Sequence, residues 1–390
     1  MKKRKLKKHI KKRLFLALLF INVFALVMLF VFLSSKRDTV SETNEPPVKK
    51  VAAEQTGQET TEEPSAQTIT VGMIGDILLH DAMLHYGNYD FAFEGVKEPL
   101  NDVDFLIANQ ESMPGDRAFP LAGYPKFNSP KAILHSLKNV GVDLIALANN
   151  HALDLGEAQM IATIDNVKET GLPYVGAYTS YDDQSTLRVF DVEGVSVGVL
   201  AYTYGTNVYK QQHPEGKSYL VNILDEERIV TDLKEMKKEV DLVVLSLHWG
   251  DEYVMEQNEG QRELAKTFAR AGADVIFGHH PHVLQPHETI EGVPVFYSIG
   301  NFYSAMPWAG TNIGGIARIT ATKVTTGETS VTKVEEANFF PTGVIRDVPM
   351  NGQANAFRIL PLRQIGALEG YDATFVEDLL GVPSWTDASN

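Results

Sequence analysis

The chain has 390 residues, enough for one large or two medium domains with a sizeable core. It has no cysteine, which excludes a disulfide framework. Of its 35 Lys and Arg, eleven precede residue 38, leaving 24 against 50 Asp and Glu, a net charge of −26 on the remainder. So acidic a surface excludes a nucleic-acid binder, which needs clustered cations for phosphate contacts.

Residues 1–13, "MKKRKLKKHIKKR", form a basic tail with nine Lys and Arg. Leu14–Leu33 follows, twenty residues in which Asn22 is the only strongly polar one. At about 1.5 Å per residue that run spans the roughly 30 Å hydrocarbon layer as a helix. A cleaved signal peptide would have a shorter apolar stretch and a small-residue cleavage site, which "FVFLSSKR" does not offer. The span therefore reads as an uncleaved anchor. The basic cluster before it puts the N-terminus in the cytoplasm and the main domain outside a single-pass membrane crossing.

Residues 34–67 lack aromatics and are rich in Glu, Thr and Pro, so they read as a disordered tether. From Thr68 short β-branched runs alternate with amphipathic stretches. Strands are expected at 68–75, 103–109, 142–149, 195–202, 241–248, 274–278 and 293–300, several as the continuous apolar runs of strands covered on both faces. Helices are expected at 131–139, 157–170, 225–239 and 260–271, the last ended by Gly272 as a C-cap. Residues 331–340 add β-type sequence, and "FVEDLLG" reads as a short surface helix. The pattern specifies a layered α/β domain over 68–345, with 346–390 as a C-terminal extension packing on it or trailing it.

The strand ends carry the chemistry. The first strand runs into "GDILLH", with Asp76 and His80; the second into "ANQES", with Asn109 and Glu111. The third runs into "ANNHALDLG", with Asn149, Asn150, His151 and Asp154. The run 241–247 delivers "HWGDEY", with His248, and the next delivers "GHHPH", with His279, His280 and His282. Carboxyl edges of α/β sheets are where ligands bind, and mixed oxygen and nitrogen donors from separate strands suit a divalent-metal cluster. Each element alone has a bland reading as turn, cap or core polar residue; five of them on one edge do not.

In this order "GDILLH", "ANQES", "LANNHALDLG", "HWGDEY", "GHHPHVLQ" and "YSIGNF" resemble the CapA (poly-γ-glutamate capsule synthesis) family, a branch of the calcineurin-like metallophosphatase superfamily. The resemblance covers roughly 68–302. It implies a four-layer α/β/β/α sandwich of metallophosphatase type, with one or two divalent ions (Mn, Zn or Fe) at the strand ends. Carried over by motif, Asp76, Glu111, Asn150, His248, His280 and His282 are metal ligands. His151 is the proton donor to the leaving oxygen, with Asp154 the nearest carboxylate to orient it. The superfamily's Asp-x-His would put histidine at 78, where Leu78 stands, and its bridging aspartate is replaced by Glu111. His80, Asn109 and His279 remain further metal or substrate candidates, with His279 able to replace His280. Lys126, Trp249 and Tyr253 are candidates to line a substrate groove.

The expected function is metallohydrolase-like action in capsule or cell-envelope polymer biosynthesis, on an anionic polymer such as poly-γ-glutamate. The alternative is a non-catalytic subunit that holds polymer or organises a membrane synthase and export complex. A net charge of −26 sits awkwardly with a polyanionic substrate, which metal ions or a local basic patch would have to offset.

Overall fold

The computed structural model describes residues 64–346 and 356–385. The basic tail, the apolar span 14–33 and tether residues 34–63 lie outside the described residues. Among the described residues no helix is long and apolar enough to cross a membrane.

Two sheets organise the chain. The first contains β1 (Ser65–Leu78), β2 (Phe105–Gln110), β3 (Leu144–Ala146) and β4 (Tyr174–Val175), all parallel. It continues antiparallel on the other side of β1 through β12 (Ile313–Thr326), β13 (Thr329–Arg346) and β14 (Phe357–Pro361), in the order β14-β13-β12-β1-β2-β3-β4. A short strand, β11 (Asn301–Ser304), runs parallel to the end of β1. The second sheet has the order β5 (Val189–Val192), β6 (Val195–Thr203), β7 (Leu242–His248), β8 (Val275–His279), β10 (Val293–Ile299), β9 (Leu284–Ile290). Its β6, β7, β8 and β10 are parallel.

Side-chain alternation fixes what each face of the second sheet meets. On β7, Leu242 and Val244 join the larger core cluster with Val71, Met73 and Ile107 of the first sheet. Their neighbours Val243, Leu245 and Leu247 join a second cluster. That cluster is completed by Ile229, Leu233 and Met236 of α3 (Glu226–Glu239) and Ala265 and Phe268 of α4 (Glu259–Ala271). The sheets thus pack on each other, and α3 and α4 cover the outer face of the second. Helices α1 (Ala132–Asn139) and α2 (Glu157–Thr170) bury Ile133, Leu134, Leu137, Met160, Ile164 and Val167 in the larger cluster. Each such side chain contributes about 1.5–3 kcal/mol on burial.

The expected helices form close to the expected limits. Asn258 and Gln261 make a reciprocal capping box at the start of α4, and Gly272, at φ +118°, ends it in the left-handed conformation. Two boundaries differ. Ser65–Gln67, assigned by composition to the tether, pair with Lys323–Thr325, so backbone hydrogen bonds rather than burial order them. The stretch after residue 345 is part of the fold where it is described: β14 pairs with β13, and α5 (Ala373–Leu380) buries Val376 and Leu380 in the larger cluster.

A break in register delivers the first functional residue. The β1–β2 ladder shifts between Ile74 and Asp76, leaving Gly75 pressed against Gly300. A Cβ on Gly75 would lie 2.1 Å from the Gly300 carbonyl oxygen, and Gly300 has φ +69°. Only this pair of glycines lets the Asp76 amide donate to Gly300 O at 3.0 Å and sets Asp76 opposite Asn301.

Candidate metal centre

The parallel strands of both sheets end along one edge, and their last residues converge there. The alternation that points Leu242 and Val244 at the first sheet also points His248 there, and Val275 and Phe277 set the same face for His279. Asp76, Asn109, Glu111, Asn150, His248, His279, His280 and His282 are all buried. Asn109 Nδ2 donates to Asp76 Oδ1 at 2.7 Å, and the His280 amide donates to Asp76 Oδ2 at 3.3 Å. His282 Nδ1 lies 3.3 Å from Asp76 Oδ2 and 3.0 Å from Asn301 Oδ1, while its Nε2 is 3.7 Å from Glu111 Oε1. His248 Nε2 is 3.0 Å from Asn150 Oδ1 and 3.5 Å from Glu111 Oε1.

Three overlapping sets have ligand atoms within 4.8 Å of one another: Glu111, His248 and His280; Asp76, Glu111 and His282; and Glu252, His280 and His282. Glu111, His280 and His282 each belong to two of them. His280 (φ +98°) and His282 (φ +59°) are held in the left-handed backbone region, a strain their placement requires. His279 belongs to none of these sets. Its Nε2 lies 3.3 Å from Met73 Sδ, and its Nδ1 is 3.2 Å from Asp76 Oδ1 without hydrogen-bond alignment.

The electrostatics are those of a cation site. Neither Glu111 oxygen has a hydrogen-bond partner, nor does Nδ1 of His248 or of His280. Burial, with the charge of Asp76 behind it, pushes Glu111 well above the usual carboxylate range. Burial likewise holds His248 well below the usual imidazole range and His280 down to about 3. For His282 burial opposes the charge, but the carboxylates of Glu111 and Asp76 outweigh it and push the ring up to about 9. For Asp76 burial is again opposed, here by the neighbouring imidazoles of His279 and His282, which hold it well below its ordinary value. Buried carboxylate oxygens and imidazole nitrogens left without hydrogen-bond partners are what divalent ions satisfy, so this donor set fits them. Asp76, Glu111, His248, Glu252, His280 and His282 supply the ligand atoms of these candidate sets, with Asn150 beside His248, Asn109 beside Asp76 and Asn301 beside His282.

Beside this group His151 Nδ1 lies 2.7 Å from Asp154 Oδ2. The Asp154 carboxylate also accepts the Phe127 amide at 3.0 Å, and the Phe127 ring stands edge-on to His151 at 4.7 Å. Asn207 Nδ2 lies 3.3 Å from His151 Nδ1, and the Asn207 amide donates to Asn150 O at 2.8 Å. A cleft of about 290 Å³ opens over the edge, lined by Leu78, His80, Tyr124, Phe127, His151, Glu252, Tyr253, His282 and Met306–Trp308. Cavities of about 410 and 540 Å³ elsewhere are lined by none of the metal-group residues.

The groove candidates divide. Tyr253 lines the cleft, with its ring 6.1 Å from His282. Lys126 is exposed and is not among the residues lining it. Trp249 is a correction: it follows His248 on the strand path, so it faces the other way, into the cluster under α3 and α4, donating to Tyr297 O at 3.0 Å. His80 lines the cleft rather than joining the three ligand sets. Glu252, Asn207 and Asn301 were not singled out from sequence. Glu252 and Asn301 stand inside the motifs "HWGDEY" and "YSIGNF", the one signal that pointed to them.

Comparison with known proteins agrees with the motif reading. A relative from Bacillus subtilis (strain 168), named PGA biosynthesis protein CapA, is 29% identical over 298 residues, covering 73% of this chain and 76% of its own. The capsule biosynthesis protein CapA of Bacillus anthracis is 33% identical over 265 residues, covering 63% of this chain and 62% of that protein. Among solved structures, the Thermus thermophilus sulfate thiohydrolase SoxB aligns with a TM-score of 0.40 and 13% identity, over 80% of this chain and 60% of that one. The family model described as "Bacterial capsule synthesis protein PGA_cap" matches residues 70–306, well over half of the chain, and the chain belongs to that family.

Proposed function

We propose that this protein is a membrane-anchored, extracytoplasmic member of a capsule or envelope-polymer assembly system. On this reading it carries a two-metal hydrolytic centre on a four-layer α/β/β/α sandwich of metallophosphatase type. Its polymer is poly-γ-glutamate or a related anionic chain, and its partners are synthase and export subunits at the membrane. The observation that carries the reading is Glu111: a fully buried carboxylate, both oxygens without hydrogen-bond partners, among His248, His280 and His282.

Bound divalent ions supply Lewis-acid polarisation of a substrate oxygen and lower the pKa of bound water. The chain's own residues do the rest. Asp154 accepts from His151 Nδ1, which fixes that proton in place and leaves Nε2 as the atom that takes up a second proton and, from the imidazolium, gives it to the leaving oxygen. Phe127 keeps the imidazole plane in place by its edge contact, and Asn207 ties that region to the backbone of Asn150. Asn109 and Asn301 fix the donors of Asp76 and His282.

The test separates a working enzyme from a scaffold. Metal content of the purified protein is expected at two equivalents; none would overturn the reading. His151→Ala is expected to keep the metal and lose about 10²–10⁴ in turnover of the polymer, the contribution of a proton donor. Full function in that variant would leave a metal-holding scaffold.

A further inference from the structure

The cleft over the metal edge has a composition that the metal chemistry does not require. Three of its aromatics are exposed, Tyr124 at 73%, Trp308 at 56% and Tyr253 at 44%. Large exposed aromatics gathered at one concavity mark a binding surface. The Tyr253 and Trp308 rings stand 6.3 Å apart with 62° between their planes, forming two walls of a corner. Beside the hydroxyls of Tyr124 and Tyr253 and the imidazoles of His151 and His282, the lining offers two further acceptors, Glu252 and His80. Glu252 is an exposed carboxylate. His80 Nδ1 is 3.1 Å from the Leu78 carbonyl, which can only accept; the ring proton therefore sits on Nδ1, and Nε2 is left as a lone pair. No lysine or arginine among the described residues lines the cleft.

π-Faces, a carboxylate and an imidazole lone pair together complement a compact cation that donates hydrogen bonds. We propose that this cleft is a subsite for a primary ammonium group, the amino end of a γ-linked glutamate chain lying next to the metal group. The inference rests on the reading of that group as a metal centre that meets polymer. It narrows the substrate from the polymer at large to its amino terminus: interior residues of such a chain offer amides and carboxylates but no ammonium. The sheltered position beside His282 and Glu252 places the bound terminus within reach of the metal edge, so the chain is engaged from its end.

The experiment uses the full-length protein in detergent, loaded with manganese. Calorimetry compares a short γ-linked glutamate oligomer bearing a free amino end with the same oligomer N-acetylated, each with and without propylamine as competitor. The free form is expected to bind at least about tenfold tighter. Trp308→Ala is expected to abolish that preference, and Trp308→Phe, which keeps a π-face, to retain most of it. Equal binding of the two forms by the unaltered protein, or a preference undiminished in Trp308→Ala, overturns the proposal. Competition by propylamine assigns the subsite to ammonium alone; a retained preference without competition assigns it to the chain terminus as a unit. Metal content is measured on the same samples. An amine preference in protein that takes up no metal would sink the metal-centre reading and leave this one standing; two metals with no preference does the reverse.

Discussion

A buried carboxylate with neither oxygen hydrogen-bonded is costly inside a folded core, and Glu111 is in that state among the imidazoles of His248, His280 and His282. The cost is met when cations bind and is carried by the fold when they do not. Glu111→Gln separates these two conditions. The amide is nearly isosteric and needs no charge, so the chelated variant is expected to melt at or above chelated unaltered protein. Its affinity for divalent ions should fall by at least about tenfold, since a charged oxygen donor is lost. A lower melting temperature in chelator, with metal affinity intact, would show Glu111 to be a structural residue. Asp154→Asn probes the other half of the site. The amide can present its NH₂ to His151 Nδ1 and favour the wrong tautomer, so turnover should drop by about 10²–10⁴ at unchanged metal content. The Trp249 misplacement belongs to this scale as well. An aromatic beside a ligand invites the reading of a groove wall, yet period-two alternation turns it away from whatever His248 faces.

At the scale of elements, the strands that read clearly were those whose apolar residues are covered on both faces, such as 195–203 and 242–248. Those that did not read owe their order to something composition cannot express. β9 carries Pro286, His287 and Glu288 on a half-exposed edge and is held by its ladder with β10. The outer half of β12 is polar and mostly half-buried, and pairs with β13 and with Ser65–Thr70. The candidate site was legible for the opposite reason, since costly residue types at strand ends have few purposes. What stayed hidden was the machinery that aims them, such as the Gly75–Gly300 approach that seats Asp76. Gly75→Ala puts a methyl where the Gly300 carbonyl sits, and neither strand can retreat without breaking the Asp76–Gly300 hydrogen bond. Overpacking of this kind costs about 1–3 kcal/mol. Denaturant melts should show at least that loss, together with weakened metal binding; a variant with unchanged stability and metal content would show that the close approach is not what positions Asp76.

Over the whole molecule the charge distribution sets the terms on which a polymer arrives. Everything after residue 37 carries 24 basic against 50 acidic residues, so a polyanion is repelled at long range whatever the site does at short range. The Debye length falls from about 30 Å at 0.01 M salt to about 8 Å at 0.15 M, so added salt removes repulsion between surfaces while sparing contacts inside a cleft. Association of poly-γ-glutamate with the full-length protein should therefore accelerate as salt rises over that range, with little change in dissociation. A protein that captured the polymer through a basic surface patch would behave in the opposite sense, losing association rate as its attraction was screened. Stopped-flow association at several salt concentrations decides between them. A falling rate would mean that a cationic surface outside the cleft governs encounter, whereas a rising one leaves recognition to the short-range chemistry of the cleft and its metal edge.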